Sequence, residues 1–481
     1  MKKVFSILIL AIIVSVASAQ SISFQQGKKA NKKAHAPKAI KILPGASDGQ
    51  FIMVDPDVTA MGYVEGINVR LVDGDWNDIK RTEISNTADY DITNSFINGN
   101  NIHLVITKYD KGSFLARHIS LNKSSLKIMS DSVLLNIKLS KGEECYYWTA
   151  SSMEKNFYGF VYAVYSKKSN MASTKAILYD ADMKKLCSEP LKNHGVHQML
   201  VTENGEIVTA TLVGPVFSIN VLDLEGAKAG NFEVKENVEQ MSLLSYVDGK
   251  VVLTALESNG NGNKRKFSGF HAYQYDLEVD KLVVNNIHNF TESEIRVFLN
   301  EDVKSKVKSN SVDCIFRQDN LSTPDGGAVV YQRTWSETVR DMSTGMTSEK
   351  ITSMGVLMVK VNNNGEIVWT RGIMQNNQNA GNSIVGPILF NNGNNIYLLT
   401  NESKNEDDVY DPTKPAKRSK SLIFANSALA VYGFSPDGNG FKKMLEKDEK
   451  TMILGPLFNI GKDKFSLLTG TISPKISTIS F

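Results

Sequence analysis

Residues 355 to 373 read GVLMVKVNNNGEIVWTRGI: two apolar runs held apart by three asparagines and a glycine. Each run has the length and the Val, Ile and Trp content of a strand, and the polar stop carries residues that tolerate the backbone angles of a tight hairpin. The same order recurs in INVRLVDGDWNDIKRTEI, LARHISLNKSSLKIMSDSVL, AILYDADMKKLCSEPL, SINVLDLEGAKAGNFEV, AYQYDLEVDKLVVNNI and ALAVYGFSPDGNGFKKML. The turns centre near Asp73, Asn122, Asp180, Asp223, Asp276, Asn363 and Asp437. Two further strand candidates separate consecutive hairpins, as in residues 94–109 and 197–213. Four strands per repeat at a spacing of roughly fifty residues predicts the blades of a β-propeller, with the asparagines turning the two outer strands of one blade.

The expected fold is therefore all-β: a single β-propeller over residues 39–481 with seven or eight four-stranded blades. The last segment, from Ile453 to Phe481, supplies three strands and stops, so a fourth must come from elsewhere. ISF at 22–24 and IKIL at 40–43 are both available, and closing the ring with strands from both termini removes exposed edges. Seven hairpins plus one shared blade give eight; seven results if the terminal strands complete the first repeat. Within TESEIRVFLNEDVKSKV, Thr291 and Glu294 have capping-box spacing and Ile295, Leu299, Val303 and Val307 fall on one face, predicting an amphipathic helix near 291–307 packed on the ring.

Three repeats carry insertions between their second and third strands, at 258–267, 334–353 and 401–421. Equivalent propeller loops emerge on one face, so these should cluster over one sector of the rim, where a rigid scaffold displays binding residues. Trp335, Arg333, Tyr410 and Arg265 are the candidate contacts there, since aromatics and arginine supply most interface energy. Tolerated surface drift is the alternative. Loops with so few apolar residues should contribute little to the core.

The N-terminus changes the picture of where the chain works. Lys2 and Lys3 precede an apolar stretch from Val4 to Val16, followed by Ala17-Ser18-Ala19, which predicts a signal peptide over 1–19 with cleavage before Gln20. Residues 20–38 then read as a flexible basic leader. The expected location is the periplasm or the extracellular side, with no transmembrane segment in the mature chain. The 54 basic and 51 acidic residues nearly balance, which offers no global field for nucleic acid. Cys145, Cys187 and Cys314 are scattered and odd in number, so at most one disulfide is expected.

The chemistry expected from motifs is sparse. DGDWND at 73–78 alternates Asp73, Asp75 and Asn77 like a calcium loop but lacks the glycine and the terminal carboxylate that such a loop needs. NEDDVYD at 405–411 reads as a solvated charge run, and His194 and His197 would point to opposite faces of a strand. No metal and no cofactor is expected. GEIVW matches the Gly-x-x-x-Trp ending of quinoprotein-type repeats, but Trp369 has no counterpart in the other six hairpins, which argues against a quinone. CYYWT at 145–149, on an inner strand, offers either sugar-stacking rings or inter-blade packing.

GGAVVYQRTW, VLMVKVNNNGEIVWTRGI, NNIYLLTNESKN and ALAVYGFSPDGNGFKKML together resemble the repeats of uncharacterised exported propeller-like proteins of Bacteroidota-type bacteria, over roughly residues 311 to 481. The resemblance implies fold and export and transfers no active site; of the polar motif that follows the tryptophan in many relatives, Gln375 and Asn376 remain. Two functions follow as expectations. The first is a monomeric binding or scaffold protein that recognises an envelope protein or glycan through the loop-rich face. The second is an enzyme acting on a glycan or peptide at the central channel. An outer-membrane barrel fits less well, because Lys475 and Ser477 break the alternation of a lipid-facing strand.

Overall fold

The computed structural model describes residues 22–481 apart from 30–39, 48, 59–63, 74, 76, 111, 169–170, 193–194, 261–264, 303, 305–310, 314, 341–346, 381–386, 418, 421–426, 447–451, 462 and 471–473. Eight sheets succeed one another along the chain, each built on four antiparallel strands in simple order, except that blade six gains a fifth, parallel strand from within blade seven and the last blade takes one strand from the N-terminal end. The protein is an eight-bladed β-propeller. Blade one begins with Lys41–Pro44, blade two with Asp91–Asn98, blade three with Glu143–Ser151 and blade four with Gln198–Val201. Blades five to eight begin with Val238–Val247, Ile315–Thr323, Ile388–Asn392 and Met452–Gly461.

The ring closes as the unfinished last repeat requires. Ser23–Lys29 pairs antiparallel with Pro474–Ser480, Phe24 opposite Ile479 and Gln25 opposite Thr478, and so becomes the outer strand of blade eight. Ile22 joins Phe390, Phe465 and Ile479 in the core beside that seam. IKIL instead opens blade one.

The recurrent polar turns share one physical device. The side-chain oxygen of Asp73, Asn122, Asp180, Asp223, Asp276 or Asn362 accepts backbone N–H groups two to four residues ahead, closing the turn between third and fourth strands. In blade seven the Ser435 hydroxyl takes the same part, accepting from Asn439 N–H at 3.1 Å. DGDWND is thus a blade turn. Apolar side chains from facing sheets fill the space between blades, as where Phe217, Phe232, Tyr273 and Tyr275 stack between blades four and five.

The helix α1 spans Glu292–Leu299, shorter than the expected 291–307. Its start is as the capping box demands, with Thr291 and Glu294 bonded reciprocally. It stops because Asn300 adopts the left-handed conformation (φ 53°) and its N–H caps the carbonyls of Arg296 and Val297. Val303 and Val307 lie outside the described residues. Val297 presses on the backbone of Gly355 and Gly372 in blade six, at positions where a Cβ would collide with it. Glycine is required there by close approach.

Candidate functional site

In a ring of four-stranded blades, the turn between second and third strands and the link from each fourth strand to the next first strand share one face. Helix α1 and all three insertions therefore stand over blades five to seven. The insertions are more structural than their composition suggests. The one in blade six is an extension of its own hairpin, with Gly326–Arg340 paired to Thr347–Asn362 as far as Arg340 opposite Thr347.

The insertion in blade seven forms a strap across the face. From residue 404 to 417 it ties three elements together: Asp408 accepts from Met444 N–H (2.6 Å) in blade seven, Tyr410 donates to Gly372 O (3.0 Å) in blade six, and Ala416 N–H donates to Asn300 Oδ1 (2.8 Å) at the end of α1. Ser419–Lys420 then adds a short parallel strand to the edge of blade six. Asn405, Asp407, Asp408, Val409 and Asp411 stay exposed, as in a solvated charge run, and Glu406 departs from it. Glu406 is 6% exposed, and Asp407 is paired with Lys414 at 2.6 Å.

The four predicted contact residues are distributed over this face. Arg333 is buried: its guanidinium donates to Asp313 Oδ1 at 2.8 and 3.1 Å and cannot also serve as a free surface contact. Tyr410 lies edge-on against Tyr432 and Phe434, with its hydroxyl committed to the Gly372 carbonyl. Arg265 is 44% exposed and holds Glu239 at 2.7 Å. The side chain of Trp335 lies outside the described residues.

Arg265 leads to a site the motifs did not reveal. A cavity of about 490 Å³ opens where blades four and five meet, lined by His197, Gln198, Leu212, Gly214, Asn237, Val238, Glu239, Gln240 and Met241. That volume suits a small ligand. Both Glu239 oxygens are engaged, Oε1 by the Ser258 hydroxyl (2.8 Å) and Oε2 by Arg265, while Asn237 donates to Ser258 at 3.1 Å. Those bonds anchor the insertion 258–267 to the rim. His197 Nδ1 accepts from Leu212 N–H at 3.3 Å, which leaves Nε2 as the proton-bearing donor of the neutral ring. Burial on one side lowers the His197 pKa and favours that neutral form. Gln240 adopts a left-handed conformation (φ 51°) where the strand bulges between Glu239 and Ser242, a strained geometry for a side chain at a cavity wall.

Most of the remaining candidates resolve into packing, while Tyr146 of CYYWT stays exposed with its hydroxyl on Glu144. Tyr147 of CYYWT stacks on Phe160 and Phe114 and its hydroxyl bonds Thr107, while Trp148 packs beside Leu191 and Ile207. Gln375 relays a buried chain from Ser353 Oγ (3.0 Å) to Thr400 Oγ1 (2.8 Å), joining blades six and seven. Cys145 and Cys187 are free thiols, and Cys314 and His194 lie outside the described residues. Among the described residues no three His, Cys, Asp or Glu side chains converge as metal ligands, and no helix is long and apolar enough to cross a membrane.

No protein-family model and no curated protein matches the chain. Solved structures similar to it include the Dos1 propeller, at 7% identity with 95% of each chain covered and a TM-score of 0.37. The β-propeller domain of the Trilobed protease from Pyrococcus furiosus, described as having an open velcro topology, is 11% identical over 81% of this chain and 93% of that one, at a TM-score of 0.35. Acylaminoacyl peptidase of Pyrococcus horikoshii is 12% identical at a TM-score of 0.33, and the match spans 68% of this chain and 43% of that one. Likeness at this level says nothing about the site, and the propeller assignment rests on the sheets themselves.

Proposed function

We propose that this chain is an exported binding protein of the cell envelope that holds an uncharged glycan in the cavity between blades four and five. The cavity is the observation that carries the reading: it is wide, and it opens on the face that bears the insertions. Its chemistry favours a neutral ligand rich in hydroxyl or amide groups. Arg265 and Ser258 already satisfy the one carboxylate on its wall, so the site offers little net charge. The His197 Nε2–H and the amide of Gln198 supply hydrogen bonds, and Leu212, Val238 and Met241 provide apolar contact. Pockets of this kind fix a ligand by a few placed polar groups on an apolar surface. Export, in the manner of the Bacteroidota-type proteins it resembles, rests on the lysine, apolar and Ala-Ser-Ala order of residues 1–19.

A glycan array probed with the mature chain and with Gln198→Trp, which fills the cavity, tests this. Binding to neutral glycans that falls at least tenfold in the variant supports the proposal. Equal binding by both proteins, or binding to anionic glycans alone, refutes it.

A further inference from the structure

The strap over residues 404–417 covers a second and much smaller cavity, of about 20 Å³, room for one water. Three ionisable side chains on its wall are almost sealed from solvent: Glu402 at 1%, Glu406 at 6% and Lys442 at 8% exposure. Fully ionised, they would place two negative charges and one positive in the protein interior. Net charge there is costly, because little solvent remains to stabilise it. A single bound proton removes the imbalance.

Geometry indicates where that proton sits. Lys442 Nζ faces Glu406 Oε2 at 3.9 Å, and Glu406 Oε1 accepts the Lys417 N–H at 2.7 Å. Glu402 lies deeper, and its Oε1 accepts from the Tyr432 hydroxyl at 3.1 Å. We propose that the strap is a proton-coupled latch: it docks on blade seven together with one proton held on Glu402, and loosens when that proton passes to bulk water. The cavity beside Glu402 is lined by Tyr432 and Lys442 of blade seven, by Glu406, Tyr410, Asp411 and Lys414 of the strap and, among the described residues of blade six, by Ile373 and Met374, with the Arg371 charge of blade six near Tyr410. Burial holds the Tyr432 and Tyr410 phenols above their usual range, so both stay neutral.

Burial pushes the Glu402 carboxyl up to about 7, with Lys442 and Tyr432 opposing and Glu406 adding to the rise. With the strap lifted, Glu402 meets water and returns to the ordinary carboxylate range, near ~4. Below that range both forms hold the proton and docking does not depend on pH. Between it and about 7 the docked form alone is protonated, so docking weakens as pH rises through the window and levels off above it. Over the whole window of two to three pH units the docking equilibrium changes by roughly a hundred- to a thousandfold, and between pH 5 and pH 8 by roughly a hundredfold.

This inference stands apart from the glycan reading. Residue-resolved hydrogen exchange on the full chain at pH 5 and pH 8, corrected for intrinsic rates, tests it. Protection of the Lys417 amide should fall by roughly a hundredfold relative to Val431 in the blade core. Glu402→Gln, which stays neutral, should keep high protection at both values. A carboxyl-carbon titration of glutamate-labelled wild-type protein gives a reading that does not depend on the variant folding: one glutamate should titrate close to pH 7. The latch is overturned if Lys417 moves no more than Val431, if Glu402→Gln retains the wild-type pH dependence, or if no glutamate titrates above pH 6.

Discussion

Replacing Ile22 with alanine examines ring closure through a single side chain. Ile22 is 6% exposed and sits with Phe390, Phe465 and Ile479 at the seam where Ser23–Lys29 lies on Pro474–Ser480. The substitution removes the equivalent of three methylene groups from the core, about 2.5 kcal/mol at ~0.8 kcal/mol each. A cavity term would add to this in a rigid interior, but a terminal strand can settle inward, so the cost belongs near the lower end of the 2–5 kcal/mol range for such truncations. The neighbouring Ser23 is exposed, and Ser23→Ala should stay within about 0.5 kcal/mol of wild type. Equilibrium urea unfolding at unchanged m-value measures both. If the first strand did not belong to blade eight, Ile22 would be solvated and its loss nearly silent. A change below about 0.5 kcal/mol for Ile22→Ala would therefore refute the closure.

Three further outcomes follow from other parts of the molecule. Thr291→Ala removes the N-cap of α1 and should cost about 1 kcal/mol in the same assay, with Thr291→Ser restoring most of it. Lys360, fully buried, donates to Asp325 at 2.6 Å. Burial works to raise the Asp325 carboxyl, but the hydrogen bonds from Lys360 and Thr323 outweigh it and hold the pKa below the ordinary value. That stability is present above the unfolded pKa and lost as pH falls through the lower folded one, so Lys360→Met should flatten the loss of stability between pH 5 and pH 2, read as urea midpoints. Mass spectrometry of protein from its native host should find Gln20 as the first residue; a chain retaining Met1 would remove the argument for export.

What could be read from sequence follows from how local each determinant is. The hairpins were legible because the Asp or Asn that closes most of the turns accepts backbone N–H groups two to four residues ahead. Closure was legible from an unfinished repeat, although choosing ISF over IKIL needed the pairing of Phe24 with Ile479 across the whole chain. The end of α1 was missed because apolar spacing continues through Val303 and Val307, whereas the left-handed Asn300 decides the stop. The insertions were found, but their role was misjudged from composition. Glu406 looks solvated in a lysine-rich stretch and is buried beside blade seven, and Tyr410 is half-buried against blades six and seven. The cavity had no local signature at all. Its walls come from the links into blades four and five and from one hairpin, and Arg265 pointed only to a contact on the inserted loop 258–267.

The most direct measurement of the binding claim is a methyl spectrum of the mature chain labelled at methionine, recorded as a neutral glycan identified on the array is added. Met241 lines the cavity between blades four and five, and Met374 lines the small cavity under the strap. The Met241 methyl should shift and saturate while Met374 stays in place. A saturable response that leaves Met241 unmoved and appears at other methionines would contradict the proposed site.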